Sequence, residues 1–99
     1  MIFMLTGSDT RRETLARQLR TVGDDCRLHI LCILIAHKKA FVSEIAAQTD
    51  CSIAIISHHL QVLLQENIVT KERVGKKVYY ALSKDSFVTD IKRHICKYQ

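Results

Sequence analysis

Residues 43–82 read SEIAAQTDCSIAIISHHLQVLLQENIVTKERVGKKVYYAL, and they carry the most specific pattern of secondary structure in the sequence. It predicts a short helix over 43–49, a break at Asp50-Cys51, and a second helix from Ser52 to about Asn67. Two alternating segments, 68–73 and 77–82, flank a basic turn and predict a β-hairpin, with Gly75 in the turn. A helix-turn-helix followed by such a hairpin, or wing, is an arrangement that places one helix in a DNA major groove.

The rest of the chain predicts three more helices. A sparsely apolar helix is expected over about 9–19, ended by Thr21-Val22-Gly23, and an almost wholly apolar one over about 26–37, at the hub of the core. Ser83 is expected to cap a last helix that runs to about Lys97. Residues 40–42 are interpreted as a connector with a stub of strand. The fold class is therefore mainly α, a winged helix-turn-helix of about five helices with a two-stranded wing.

Composition favours one compact domain over residues 1–99, divided into helices at 9–20 and 83–97, a helix-turn-helix at 43–67 and a wing at 68–82. Apolar residues make up 47% of the chain and charged residues 25%, which excludes a disordered tail. A chain of 99 residues has a modest core, so pairing with a second copy would add stability.

The positive charge is concentrated in the second half of the chain. Residues 51–99 carry eight Lys/Arg against four Asp/Glu, whereas residues 1–50 carry seven against six. This excess, in the half that contains the wing, favours a phosphate-binding surface, although a solvated basic face is the alternative.

Neither a secretion signal nor a membrane span is expected. The apolar start over residues 1–5 is too short for a signal peptide, and no apolar run approaches the length that crosses a bilayer. The four cysteines have no CxxC spacing, and a cytoplasmic chain would keep them as thiols.

The helix from Ser52 carries two different faces. With a step of 100° per residue, one face of the helix is apolar and is expected to be buried: Ile53, Ile56, Leu60, Leu63 and Leu64. Cys51 is expected to pack on Ile56 as a hydrophobic staple. The neighbouring face is small or able to form hydrogen bonds, and no acid lies on it: Ala54, Ser57, His58, Gln61 and Gln65. Asn67 lies at the helix end, where the left-handed conformation is favoured.

These residue types predict distinct contacts with double-stranded DNA. Ser57, His58 and Gln61 can form hydrogen bonds to base edges, while Ala54 and Ile55 suit thymine methyl groups. Ser52 and the first-turn amides suit a phosphate. Contacts with the DNA backbone are expected from four cations on the wing: Lys71, Arg73, Lys76 and Lys77. Lys38 and Lys39 are additional candidates for such contacts. The alternative is an ordinary exposed helix face.

Three segments together resemble the ArsR/SmtB family of bacterial winged-helix repressors. They are DDCRLHILCIL (24–34), VSEIAAQTDCSIAIISHHLQVLLQENIV (42–69) and KKVYYAL (76–82). The resemblance covers about residues 9–97 and implies a homodimer joined through the first and last helices. It also implies binding to operator DNA that an inducer reverses.

The resemblance suggests two kinds of inducer. The positions of the family's thiolate metal site hold Phe41 and Ser43, so no metal or other cofactor is expected there, and Asp90 with His94 is a weaker alternative metal pair. Cys32 and Cys96 resemble the family's thiol- or persulfide-sensing branch, in which one thiol from each of these helices forms a reversible bridge; otherwise Cys32 is a small core residue.

Two further residues have open interpretations. Cys26 lies in a first helical turn, where the helix field favours the thiolate while Asp24 and Asp25 oppose it. His59 matches the family pattern at the border of the buried face and is interpreted as structural.

Two other classes of function fit the sequence less well than a DNA-binding regulator does. A winged helix can serve as a protein-interaction module without specific DNA binding. An enzyme is not expected, because the sequence has no phosphate-binding glycine loop and no cysteine with an evident histidine partner.

Overall fold

The computed structural model describes residues 9–97, and the apolar start at residues 1–5 lies outside that range. Its elements in chain order are α1 (Asp9–Val22), α2 (Asp25–His37), β1 (Lys39–Phe41), α3 (Val42–Ala47), α4 (Ile53–Gln65), β2 (Val69–Val74), β3 (Lys77–Leu82) and α5 (Ser86–Lys97). Within residues 9–97, five helices with a small antiparallel sheet confirm the winged helix-turn-helix fold.

The first helix runs three residues beyond the predicted end at Leu19. Thr21 remains helical because its hydroxyl donates to the carbonyl of Arg17 at 2.9 Å, and Val22 is buried in the core. The chain turns only at Gly23, whose N–H donates to the Leu19 carbonyl; a Cβ at this position would lie 2.9 Å from that oxygen.

The core forms around α2, as its apolar sequence predicted. Ile30, Leu31, Ile33 and Leu34 are buried there, and they meet the inner face of α4, namely Ile56, Leu60 and Leu63. Burying a large aliphatic side chain contributes about 1.5–3 kcal/mol, so this shared core stabilises the position of α4.

The sheet has three strands rather than two. β1 pairs with β3, with Ala40 opposite Tyr80, and β3 pairs with β2, so the order is β1-β3-β2. β1 has three residues, of which Ala40 is the buried one. A segment this short shows too little alternation of apolar and polar residues for the sequence to distinguish a strand from a connector. The predicted hairpin is confirmed, with a two-residue turn in which Gly75 has φ 65°.

The last helix begins three residues later than predicted. Its first amides are capped by Asp85, whose carboxylate accepts from the Phe87 N–H at 2.9 Å, whereas the Ser83 hydroxyl accepts from the Asp85 N–H at 3.3 Å. The expectation that Ser83 caps this helix is wrong, because a carboxylate nearer the helix takes that role.

Candidate nucleic-acid interface

The turn before α4 is held by side-chain hydrogen bonds. Ser52 is the N-cap, since its hydroxyl accepts from the Ile55 N–H at 3.2 Å. Thr49 accepts from the Cys51 N–H at 3.1 Å and donates to the Ala46 carbonyl at 3.1 Å. The chain therefore enters α4 in a defined direction, which fixes where the first-turn side chains project.

The exposed face of α4 carries most of the side chains that the sequence predicted for DNA contact. Ala54, Ile55, His58 and Gln61 are exposed, and Ser57 is half-buried. No acidic residue occurs between 53 and 65, so this face presents no charge that would repel phosphate.

The prediction that Ile53 belongs to the buried face is wrong. Its side chain is 55% exposed, whereas Ile56, Leu60 and Leu63 are fully buried. Ile53 is the first residue of the helix, and the core beneath α4 starts one turn later. Ile55, which is 48% exposed, is a second large apolar residue exposed in the first turn of α4.

The Arg27 side chain connects α4 to α1 and α2 through hydrogen bonds. Its Nε–H donates to His59 Nδ1 at 3.1 Å, and its Nη1–H donates to the Thr21 carbonyl at 3.2 Å, so one side chain links α1, α2 and α4. The structural role predicted for His59 agrees with this contact. Sequence reasoning missed the role of Arg27, because its two partners are not its helical neighbours.

The start of α2 is capped by Asp24. Its carboxylate accepts from the Arg27 N–H at 3.0 Å, and this hydrogen bond is the largest cause that lowers the pKa of Asp24 below its usual value.

An ion pair connects α1 to the C-terminal end of α4, where Arg17 and Glu66 lie 2.8 Å apart. The Arg17 side chain is 53% exposed and that of Glu66 22%, so solvent screens the pair and it contributes at most about 1 kcal/mol.

The wing projects from the core with basic residues on both of its faces. Lys71 lies opposite Tyr80 and Arg73 opposite Val78, so both belong to the sheet face whose inner part packs on the core. Lys77 lies opposite Val74, on the other face with Glu72 and Tyr79. All four predicted wing cations are exposed, and Lys76 occupies the turn.

A cluster of rings and ammonium groups covers the outer face of the sheet. Lys77 Nζ lies 4.3 Å from the ring centroid of Phe41, and Lys39 Nζ lies 5.0 Å from that of Tyr79. The two rings meet edge to face at 5.6 Å. These two cations therefore stabilise the outer face. Lys71 and Arg73 lie on the side of the core, where Arg73 Nε–H donates to the Gly75 carbonyl at 3.2 Å.

The two cysteines proposed for sensing are not in contact within the chain. Cys32 is half-buried in α2 and Cys96 is exposed near the end of α5. Within residues 9–97, two other thiols are in contact: the sulfur atoms of Cys26 and Cys51 lie 3.6 Å apart. Sequence spacing could not reveal this pair, because 25 residues separate them.

Of the opposing influences on the Cys26 thiol, those that favour its protonated form are the stronger. Burial, followed by the neighbouring Cys51 and the charges of Asp24 and Asp25, raises the pKa of the Cys26 thiol to about 11. Loss of hydration outweighs the helix field, so Cys26 stays protonated at neutral pH.

Asp90 and His94 do not form part of a metal cluster in the structure. Asp90 Oδ1 pairs with Arg93 Nη1 at 3.4 Å, in an exposed contact on the same helix. Within residues 9–97, no three His, Cys, Asp or Glu side chains are grouped so that they could hold a metal ion. In the same part of the chain no helix is long and apolar enough to cross a membrane.

Comparison with known proteins agrees with this geometry. Residues 24–71 match the family model described as "Bacterial regulatory protein, arsR family". A transcriptional repressor SmtB homolog from Synechocystis is 30% identical over 83 residues, which are 84% of this chain and 61% of that protein. The cadmium resistance regulatory protein CadC of Listeria innocua is 36% identical over 61 residues, or 62% of this chain and 51% of that protein.

The solved structure of HlyU from Vibrio cholerae has a TM-score of 0.82 at 22% identity and covers 92% of this chain and 97% of its own, which shows a shared fold. The chain spans between about half and three-fifths of the length of the two curated relatives. Those relatives are transcription regulators rather than enzymes, in agreement with the class predicted from the sequence.

Proposed function

Because the chain belongs to the ArsR family of bacterial regulatory proteins, we propose that it is a homodimeric repressor that binds operator DNA and is released by an inducer. The observation that carries this proposal is α4 itself. On its inner face Ile56, Leu60 and Leu63 are buried, and its outer face carries no acid and is polar or small except for Ile53 and Ile55. A basic wing follows it in the chain.

In the proposed complex α4 enters the major groove. Gln61 and His58 meet base edges, Gln61 being able to pair with adenine through two hydrogen bonds, and Ser57 contributes through the part of its side chain that is exposed. Ile55 and Ala54 contact thymine methyl groups. Ser52 and the start of the helix lie against a phosphate, which the partial positive charge of a helix N-terminus favours.

The wing contacts the sugar–phosphate backbone. Lys71 and Arg73 share the sheet face that continues from the core, and Lys76 lies at the tip; these are the cations assigned to phosphate. Lys77 was predicted for the same role, but its contact with the Phe41 ring makes it a weaker contributor.

Two copies associate through α1 and α5. Leu15 and Leu19 lie one helical turn apart on α1 and are 40% and 49% exposed, an apolar stripe that a second subunit would cover. On α5, Phe87, Ile91 and Ile95 are half-buried and offer a further apolar surface.

Release depends on an inducer, for which Cys32 and Cys96 are the proposed sensor. A bridge between α2 and α5 would change the spacing of the two α4 helices in the dimer, which is a population shift between binding and non-binding states. Unchanged release of DNA by oxidant or polysulfide in Cys32→Ser would refute this sensor. Metal-induced release through Asp90 and His94 is the alternative. Such a regulator acts in the cytoplasm, where cysteines stay as thiols.

The central experiment measures affinity for DNA from the gene's own promoter region across a range of salt concentrations. Each phosphate contact contributes about 0.9 to the slope of log affinity against log salt. Lys71→Ala with Arg73→Ala is therefore expected to lower the slope by up to about two. The matched control, Lys39→Ala with Lys77→Ala, removes the same charge from the outer face and should change the slope less.

Equal slopes for the two double variants would refute the assignment of the wing face. No preference of the unmodified protein for promoter DNA over random sequence would refute operator binding. In that case a protein-interaction module becomes the better interpretation, and Lys76→Glu with Lys77→Glu separates the two: a module would keep its partners while it loses only residual DNA binding.

A further inference from the structure

Two cysteines from distant parts of the sequence meet beneath the start of α4. Cys26 Sγ and Cys51 Sγ are 3.6 Å apart, and both thiols are free and half-buried. Both pack against the hydrophobic core. Cys26 lies in the first turn of α2, and Cys51 directly precedes Ser52, the N-cap of α4.

We propose that Cys26 and Cys51 form a reversible intramolecular disulfide, a modification site that ties the entrance of α4 to the start of α2. The oxidant is hydrogen peroxide. The Cys51 sulfur attacks one peroxide oxygen, the O–O bond breaks, and Cys51 sulfenic acid and water form. The Cys26 thiol then displaces the sulfenic hydroxyl, which leaves as a second water with the Cys26 proton.

The two cysteines have different roles in this reaction. Cys26 keeps its proton at neutral pH because burial and its neighbours raise its pKa to about 11, so the attack on the peroxide is assigned to Cys51. Cys26 is assigned the second step, in which it loses its proton as its sulfur attacks the Cys51 sulfenic acid. Its position next to Cys51 favours the second step, because the reacting sulfurs already lie at near-contact distance.

The disulfide requires movement of the turn before α4. An S–S bond is about 2.05 Å long, so the sulfurs must approach each other by about 1.5 Å. Cys26 lies within a helix whose N-terminus is held by Asp24, whereas Cys51 lies in a turn between two helices. The turn therefore moves more, and it carries the Thr49–Cys51 hydrogen bond and the Ser52 cap with it.

Such a shift would reach the residues assigned to DNA. Binding groups must be held to within about 0.5 Å of their productive positions, so a third of the roughly 1.5 Å sulfur movement, transmitted through the turn, is enough to disturb them. Oxidation is therefore expected to lower DNA affinity by about tenfold or more. This consequence rests on the proposed function, whereas formation of the disulfide does not.

The test uses the full chain with Cys32→Ser and Cys96→Ser, which leaves only the proposed pair. Hydrogen peroxide should remove two hydrogen atoms from the monomer in intact mass spectrometry, and peptide mapping should join residue 26 to residue 51. DNA affinity should fall and recover on reduction with dithiothreitol. Two further variants in the same background, Cys26→Ser and Cys26→Ala, should form no bridge; circular dichroism of both checks that they are folded.

The reverse variant, Cys26→Ser with Cys51→Ser, keeps Cys32 and Cys96 and measures their response separately. Peroxide treatment that consumes the thiols without a 26–51 linkage, or that gives only linkages between chains, would overturn the site. A linkage that leaves the affinity of a DNA-binding protein unchanged would overturn its regulatory effect. If the reduced protein bound no promoter DNA, the operator-binding proposal would fail while the mapped linkage still supported the site.

Discussion

Removing the apolar stripe of α1 is expected to dissociate the dimer. Leu15→Gln with Leu19→Gln keeps good helix formers at both positions and makes the stripe polar. Burying a leucine completely contributes about 1.5–3 kcal/mol, and these two side chains still expose 40% and 49% of their surface. Two copies of each in a dimer therefore contribute roughly 3–5 kcal/mol to association. The dissociation constant should rise roughly a hundredfold to several thousandfold.

Sedimentation velocity over a concentration series measures this dissociation constant. Val74→Thr is the matched control, because Val74 is 49% exposed but lies on the wing and not on α1. The control should dimerise as the unmodified protein does, and thermal unfolding should verify that the α1 variant is folded. A folded Leu15→Gln, Leu19→Gln protein with an unchanged dissociation constant would refute the assignment of α1 to the interface.

Three further predictions concern stability. Asp24→Ala should cost about 1 kcal/mol at neutral pH. Because the folded-state pKa of Asp24 is lowered, its contribution to stability is present above the usual pKa of 3.8 and is lost as the pH falls through the folded-state pKa. The free energies of unfolding of the unmodified protein and Asp24→Ala, measured in urea, should therefore converge in acid. A constant difference between them down to low pH would contradict this. Asn67 has φ 60°, so Asn67→Ala should cost about 1 kcal/mol while Asn67→Gly is close to neutral in urea unfolding; equal losses would refute strain as the cause. The pKa of Cys26 is raised in the folded state, so its protonated thiol stabilises the fold below the usual pKa of 9.0, and this contribution is lost as the pH rises through about 11. Cys26→Ala should therefore lose less stability than the unmodified protein between these two pH values. Parallel curves of stability against pH for the two proteins would exclude this linkage.

Local signals in the sequence determined the helices, the hairpin and most of the exposed face of α4. Ser52 caps α4, Asn67 leaves it with positive φ, and Gly75 makes the hairpin turn, as their residue types predicted. Each of these depends on backbone preferences within a few residues. The buried residues Ile56, Leu60 and Leu63 follow likewise from helical periodicity.

Contacts between distant segments could be decided only by the tertiary structure. The pairing of β1 with β3 made a strand from residues that carry no alternation, and the edge of the core left Ile53 exposed. The register of the hairpin separated Lys71 and Arg73 from Lys77, although all of them read as one basic run. The approach of Cys26 to Cys51 depends on how α2 packs beneath α4, because their separation of 25 residues exceeds the range over which helix or strand periodicity relates one side chain to another.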